Sequence, residues 1–201
     1  FHVKDFSEEK LKLHLKSSKV KVIDILPGGV VTGKGEAEVK LDQDGDFVYD
    51  PDQDIVKVAV VERHHATGNV GVALLRGYGI QKGAVAISIA HDSHNIIAVG
   101  CNDQDLLIAL NSIISAKGGL SVASEGEVDI LSLPIAGIMT DENGEKVAMI
   151  WNKLIQILHH NGCILDSPFM TLSFMALIVI PELKIGERGL FEYSKFKFLA
   201  D

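Results

Sequence analysis

The residues best equipped for chemistry lie in two short stretches. His91-Asp92-Ser93-His94-Asn95 separates the apolar runs AVAISIA and IIAVG, and Glu62-Arg63-His64-His65 follows the run DIVKVAVV. An imidazole titrates near neutral pH and a carboxylate exchanges protons readily, so His91, Asp92, His94 and His64 are candidates for proton transfer. Glu62, Arg63, Ser93 and Asn95 add donors and acceptors that can fix a polar substrate. His91 and His94 are three apart and face opposite ways on a continuing strand, and no third ligand stands at a recognisable spacing. No metal is therefore assigned to this chain. A structural use stays open, in which Asp92 and Asn95 fold the loop by bonding their own backbone and the histidines sit at a wet sheet edge.

These stretches need a scaffold that brings them together. DIVKVAVVERHH, NVGVALLRGYG and GAVAISIAHDSHN are separated by glycine-containing turns and predict three strands at the centre of a sheet. As an antiparallel meander, the first ends at Val61 and the third near Ala90 on one edge, so the two polar stretches meet. VKVIDILPGG predicts another strand, GEAEVKLDQDGDFVYD a hairpin turning at Asp44-Gly45, and LSVASEGEVDILSLPIAG two strands around Glu125-Gly126. Leu106, Leu107, Leu110, Ile113 and Ile114 recur with helical period and predict a helix near 103–117, stopped by Gly118-Gly119.

A second amphipathic helix is predicted near 142–160, starting around Thr140 or Asp141, with Val147, Ile150, Trp151, Leu154 and Leu158 on one side. Ser7 is a candidate N-cap for a short helix in DFSEEKLKLHLK. PFMTLSFMALIVIPELKI is apolar all round, so periodicity does not separate helix from strand over 168–180. Strand runs in the first half and helices in the second imply an α/β fold in the broad sense: a single domain over 1–201, with a mixed, largely antiparallel sheet flanked by helices.

The 201 residues, 47% hydrophobic and 23% charged, suit a globular domain with a substantial core. A net charge of -8 without a basic stripe argues against nucleic acid as a partner. No run reaches the ~18 apolar residues of a membrane span, and the N-terminus lacks a basic segment leading into an apolar one. Cys101 and Cys163 form no CxxC pair, which fits buried free thiols in a reducing cytoplasm. Phe1 in place of Met fits a piece cut from something longer. The Asp-rich stretch 44–54 lacks the calcium-loop pattern and reads as a solvated turn, Gly33 and Gly35 lack the partners of a phosphate loop, and no GxSxG occurs.

VKVAVVERHHATGNVG, GYGIQKGAVAISIAHDSHNIIAVGCNDQDLLIALN, LSLPIAGIMT and DSPFMTLSFMALIVIPELKIGERGLFEYSKFKFL resemble, in order, blocks of the C-terminal domain of bacterial adenine deaminase, in the amidohydrolase superfamily. The resemblance runs from about Val20 onward and departs at Cys101, Ile138 and Thr140, where Thr, Leu and Ser are expected. It implies part of a longer cytoplasmic enzyme of purine salvage that hydrolyses adenine to hypoxanthine and ammonia. The family's metal-dependent TIM-like barrel precedes this region and holds a divalent transition metal, iron, manganese or zinc, on an HxH pair and further residues. No HxH occurs here, so the chain alone is expected to be inactive and without a cofactor.

The implied partners are adenine, the chain's own N-terminal barrel and further copies in a homo-oligomer. An amide can bond N6 and N7 of adenine and a carboxylate can accept from N6-H. With the resemblance, this implies His91 and Asp92 as catalytic residues and Glu62, Arg63, His64, Ser93, His94 and Asn95 as substrate-binding residues at the barrel mouth. The alternative is a non-catalytic scaffold or oligomerisation domain of the same enzyme. Completion of the active site expects the two stretches on one concave edge; a scaffold expects them dispersed.

Overall fold

The computed structural model describes residues 1–199. In chain order the elements are β1 (Lys19–Ile25), β2 (Thr32–Glu38), β3 (Lys40–Leu41), β4 (Phe47–Val48), β5 (Ile55–Val61), β6 (Val70–Arg76), β7 (Ala84–Ile87), β8 (Ile96–Gly100) and α1 (Asp103–Ala116). After them come β9 (Gly119–Ser124), β10 (Glu127–Ser132), α2 (Gly144–His160), α3 (Pro168–Met175), β11 (Leu183–Gly186), β12 (Gly189–Glu192) and β13 (Lys197–Phe198).

Eight strands form one open sheet in the order β10-β9-β7-β8-β5-β6-β1-β2, beside a small β3-β4 hairpin and a separate β11-β12-β13 sheet. Neighbours in the large sheet are antiparallel except β1 and β6, so the mixed, largely antiparallel sheet flanked by helices is what the chain forms. The centre is not a meander. β8 lies between β5 and β7, with Val61 opposite Ile96 and Ile87 opposite Ile97, and β6 does not touch β7. Because β5 and β7 are both antiparallel to β8, they run the same way and end on the same edge. The two polar stretches therefore converge by another route.

Both faces of the sheet are covered, which is why β5 and β8 are buried at every position and read as continuous apolar runs. On one face Val56, Val58, Val60, Ile97 and Val99 pack with Leu154 and Leu158 of α2, Phe169, Leu172 and Met175 of α3, and Leu183 and Ile185 of β11. On the other, Ala59, Ala84, Ala86 and Ala98 give α1 room to approach with Leu106, Leu110 and Ile113. Each of those three side chains is fully buried and contributes on the order of 2 kcal/mol.

Local chemistry sets the element ends. The Asn102 side chain accepts from Asp105 N (2.8 Å) to start α1, and Lys117 closes it in the left-handed region at φ +58. α2 begins after Thr140 and Asp141, because Asn143 is the residue whose side chain caps it, accepting from Glu145 N (2.7 Å). The ambiguous stretch 168–180 contributes α3, opened by Pro168 at the first turn. GEAE pairs with β1 as part of β2, and Ser7 precedes only a 3-10 turn, Glu8–Leu11, without capping it.

Trp151 is 40% exposed instead of core, its ring 5.3 Å from Phe169. In the Asp-rich stretch Asp46 is buried: it pairs with Lys57 (2.8 Å), which also reaches Asp103 (2.8 Å). Cys101 and Cys163 are buried and free. Among the described residues no helix is long and apolar enough to cross a membrane.

Candidate functional site

Past the end of β5 the chain turns around a single carboxylate. Glu62 is buried, and its two oxygens accept from His64 N (2.5 Å), His65 N (2.7 Å), Thr67 N (2.9 Å) and Thr67 Oγ1 (3.0 Å). Burial alone would raise its pKa, but the backbone N–H groups of Thr67, His65 and His64 together with the Thr67 hydroxyl outweigh it and hold the carboxyl at about 2. Glu62 is thus an ionised loop organiser, with its acceptor capacity spent on the segment that carries His64.

Arg63 ties this loop to the other one. Its Nε donates to the His94 carbonyl, Nη2 donates to the Ala136 carbonyl (3.1 Å), and its backbone N–H donates to Asn95 Oδ1 (3.3 Å). His64 Nε2 donates to the Ser93 carbonyl (2.7 Å), so the two stretches are joined at three successive residues of the pentad. His91 is held from a third side: its N–H donates to the Ser173 carbonyl (3.1 Å) and its ring stacks on Phe174 at 5.0 Å and 26°. His94 takes φ +50, and its ring lies 5.7 Å from that of His91. Ser88 fixes the approach to the pentad by donating to the Gly137 carbonyl (2.5 Å) and accepting from Gly119 N (2.8 Å).

All eight sequence-predicted residues come together on one edge, in two tiers. Asp92, Ser93 and His64 are exposed and His91 and His94 half-buried, whereas Glu62, Arg63 and Asn95 are buried behind them. A cavity of about 460 Å³ opens beside Arg63, His64, Ser93 and His94, completed by Phe1, Lys117 and the 134–138 turn. Burial, then the positive surroundings of His91, Arg63 and His64, lower the His94 pKa, with Asp92 opposing. The outer tier can donate, accept and exchange protons; the inner tier fixes its shape. Among the described residues no group of three or more His, Cys, Asp or Glu is placed to hold a metal ion.

Phe174, Lys117 and Gly137 belong to this site and were not visible as such in the sequence. Phe174 sits in an apolar stretch, and nothing local marks its contact with His91, 83 positions away by number (174 − 91). Gly137 carried a weak signal in PIAGI: at φ +76 a Cβ there would lie 2.8 Å from Arg63 Nη1.

The family model for the adenine deaminase C-terminal domain matches residues 29–197. The chain is 49% identical to adenine deaminase 2 of Desulfotalea psychrophila and 49% identical to an adenine deaminase of Ligilactobacillus salivarius, in each case over 100% of this chain and 35% of the relative. An adenine deaminase of Desulfatibacillum aliphaticivorans is 44% identical over 92% of this chain and 32% of its own length. The chain thus spans about a third of the length of these curated relatives.

Proposed function

The chain belongs to the adenine deaminase C-terminal domain family, and on that footing we propose that it completes the active site of a cytoplasmic enzyme hydrolysing adenine to hypoxanthine and ammonia. The observation that carries this reading is the convergence of 62–65 and 91–95 on one edge beside a cavity. Loops that were merely solvated would need none of the contacts that lock them to each other. Phe1 stands on the same edge, its ring 4.7 Å from the Arg63 guanidinium, and His2 N donates to the Arg63 carbonyl (2.7 Å).

Deamination requires water to add at C6 and a proton to reach both the ring and the departing amine. A divalent metal, iron, manganese or zinc, held by a preceding barrel would supply the activated water. Among the described residues no group of side chains forms a cage for it, and their part is separate. His91, held by Phe174 and Ser173, is positioned to move a proton, and Asp92 beside it can accept from the N6 amine. Ser93 and His64 offer hydrogen bonds to the purine rim, Arg63 and His94 line the cavity, and Glu62 and Asn95 keep both loops in place.

In the full-length enzyme, His91→Ala and Asp92→Asn are expected to lower kcat by about 10²-fold or more, the scale of a lost proton-transfer or positioning group. Their melting temperatures should stay near the parent's, since neither side chain is in the core. The 201-residue chain alone should neither deaminate adenine nor retain a metal after dialysis. Parent turnover by both variants would return the pentad to a structural role. One observation favours a scaffold or oligomerisation role besides: Met149, Trp151 and Met170 leave apolar side chains of α2 and α3 exposed, suited to the barrel or another copy. Substitution of Met170 by Glu that changed assembly but spared turnover per subunit would assign that face to the scaffold role.

A further inference from the structure

Three buried charged residues, Asp46, Lys57 and Glu192, have a counter-charge. Lys57 lies between Asp46 and Asp103, and Glu192 between Lys34 and Lys195. Glu62, Asp105 and Lys184 are buried on neutral partners alone, and Arg63, likewise without a counter-charge, differs from them in lining the cavity between the two loops. Arg63 is 4% exposed and makes no ion pair among the described residues. Its Nε and Nη2 are spent on two carbonyl groups, and Nη1 makes no hydrogen bond to any described residue. A buried guanidinium without an anion is costly, since carbonyl dipoles replace only part of its hydration.

The rest of the cavity wall carries no negative charge. Lys117 lines it from the left-handed residue that closes α1, His64 and His94 line it from the loops, and no Asp or Glu does so. His94 Nδ1 is buried and has no hydrogen-bond partner among the described residues. Gly137 keeps open the space in which the guanidinium lies, since a Cβ there would lie within 3.0 Å of three guanidinium atoms. In a chain of net charge -8 this is an unusual concentration of cationic and donor groups.

We propose that this cavity binds a small oxyanion, a carboxylate or phosphate group, received by Arg63 Nη1 and Lys117 with His94 beside it. A planar guanidinium edge matches paired oxygens, and Lys117 supplies the second charge. The group has two possible sources with one chemistry: an Asp or Glu side chain of the remainder of the longer enzyme, docked on this edge, or a free anion. The proposal shares this cavity with the reading above, and its test measures anion binding alone, so its failure is distinct from a failure of the deamination assay.

The probe is inorganic phosphate, with acetate as the carboxylate arm, titrated by calorimetry and thermal shift at constant ionic strength in chloride. The 201-residue chain should bind phosphate or acetate in preference to chloride. Lys117→Glu should weaken binding by roughly tenfold or more, the worth of one charge-assisted contact. Arg63→Met should abolish it, and because Lys117 is exposed, Lys117→Glu keeps the test alive if Arg63→Met fails to fold. Full-length enzyme that also binds phosphate identifies a free anion as the occupant; full-length enzyme that does not, while the shorter chain does, identifies a docked carboxylate. Binding no stronger than chloride in the shorter chain, or binding unchanged in both variants, overturns the proposal.

Discussion

Glu62→Gln tests the logic of the site most directly. The carboxylate is 5% exposed, accepts four hydrogen bonds from the 62–69 loop, and is held at about 2 against an ordinary 4.5. A group with a depressed folded pKa contributes stability that is present above its unfolded pKa and is lost as pH falls towards the folded one. At about 1.4 kcal/mol per pH unit, the difference amounts to roughly 3 kcal/mol near neutrality, of which about 2 should be gone by pH 3. The glutamine keeps one acceptor oxygen and turns an NH2 group towards two donors, so at pH 7 the variant should be less stable by about 2 to 3 kcal/mol. Urea denaturation of parent and variant at pH 7, 5, 4 and 3 measures this, with the gap between the two curves narrowing below pH 4.5. A gap that stays constant from pH 7 to pH 3 would refute the argument, because Glu62 would then not be an ionised acceptor held by its loop.

Two further substitutions probe the frame behind the site. Lys184 is fully buried and donates to the Val30 (2.6 Å) and Phe174 (3.0 Å) carbonyls, and burial lowers its pKa to about 8. A depressed lysine costs stability while charged, so between pH 8 and 10.5 the parent should gain up to roughly 3 kcal/mol relative to Lys184→Met, and denaturation curves that run parallel over that range would contradict it. Gly71 in β6 has the Gly189 Cα 2.9 Å from where a Cβ would stand, with other backbone atoms nearer still, so Gly71→Ala should lower stability by about 2 kcal/mol or more, read as a shift in the urea midpoint.

The sequence displayed its strands and helices through local pattern, and concealed how they pair. The β-branched runs 55–61, 70–76, 84–87 and 96–100 are strands because they fit a sheet covered on both faces, but the insertion of β8 between β5 and β7 is a long-range choice that no local residue signals. The convergence of Glu62–His64 with His91–Asn95 was legible because any pairing that aligns β5 with β7 produces it. The division of those residues into an outer and a buried tier was not, since Glu62 and Asp92 are both simply acidic in the sequence while one is spent on four donors and the other is exposed. Lys57 and Lys184 were a readable signal left unused: a lysine inside an apolar strand needs a buried partner, here Asp46 with Asp103, and a pair of carbonyl groups. Trp151 misled because helical spacing reports a side of the helix and not whether anything covers it.

The pairing of β8 on both sides also restricts how proteins of this family can vary in length. One residue inserted within 96–100 would exchange Ile97 and Val99, packed towards α2 and α3, with Ile96 and Ala98, packed towards α1, and would break register with β5 and β7 together. The same slip would carry Asn95 away from the backbone of Arg63. Insertions and deletions in evolution should therefore accumulate in the turns around 125–126 and 139–143 and spare the 88–100 stretch. A length change there would uncouple the interior and the two polar loops in a single event.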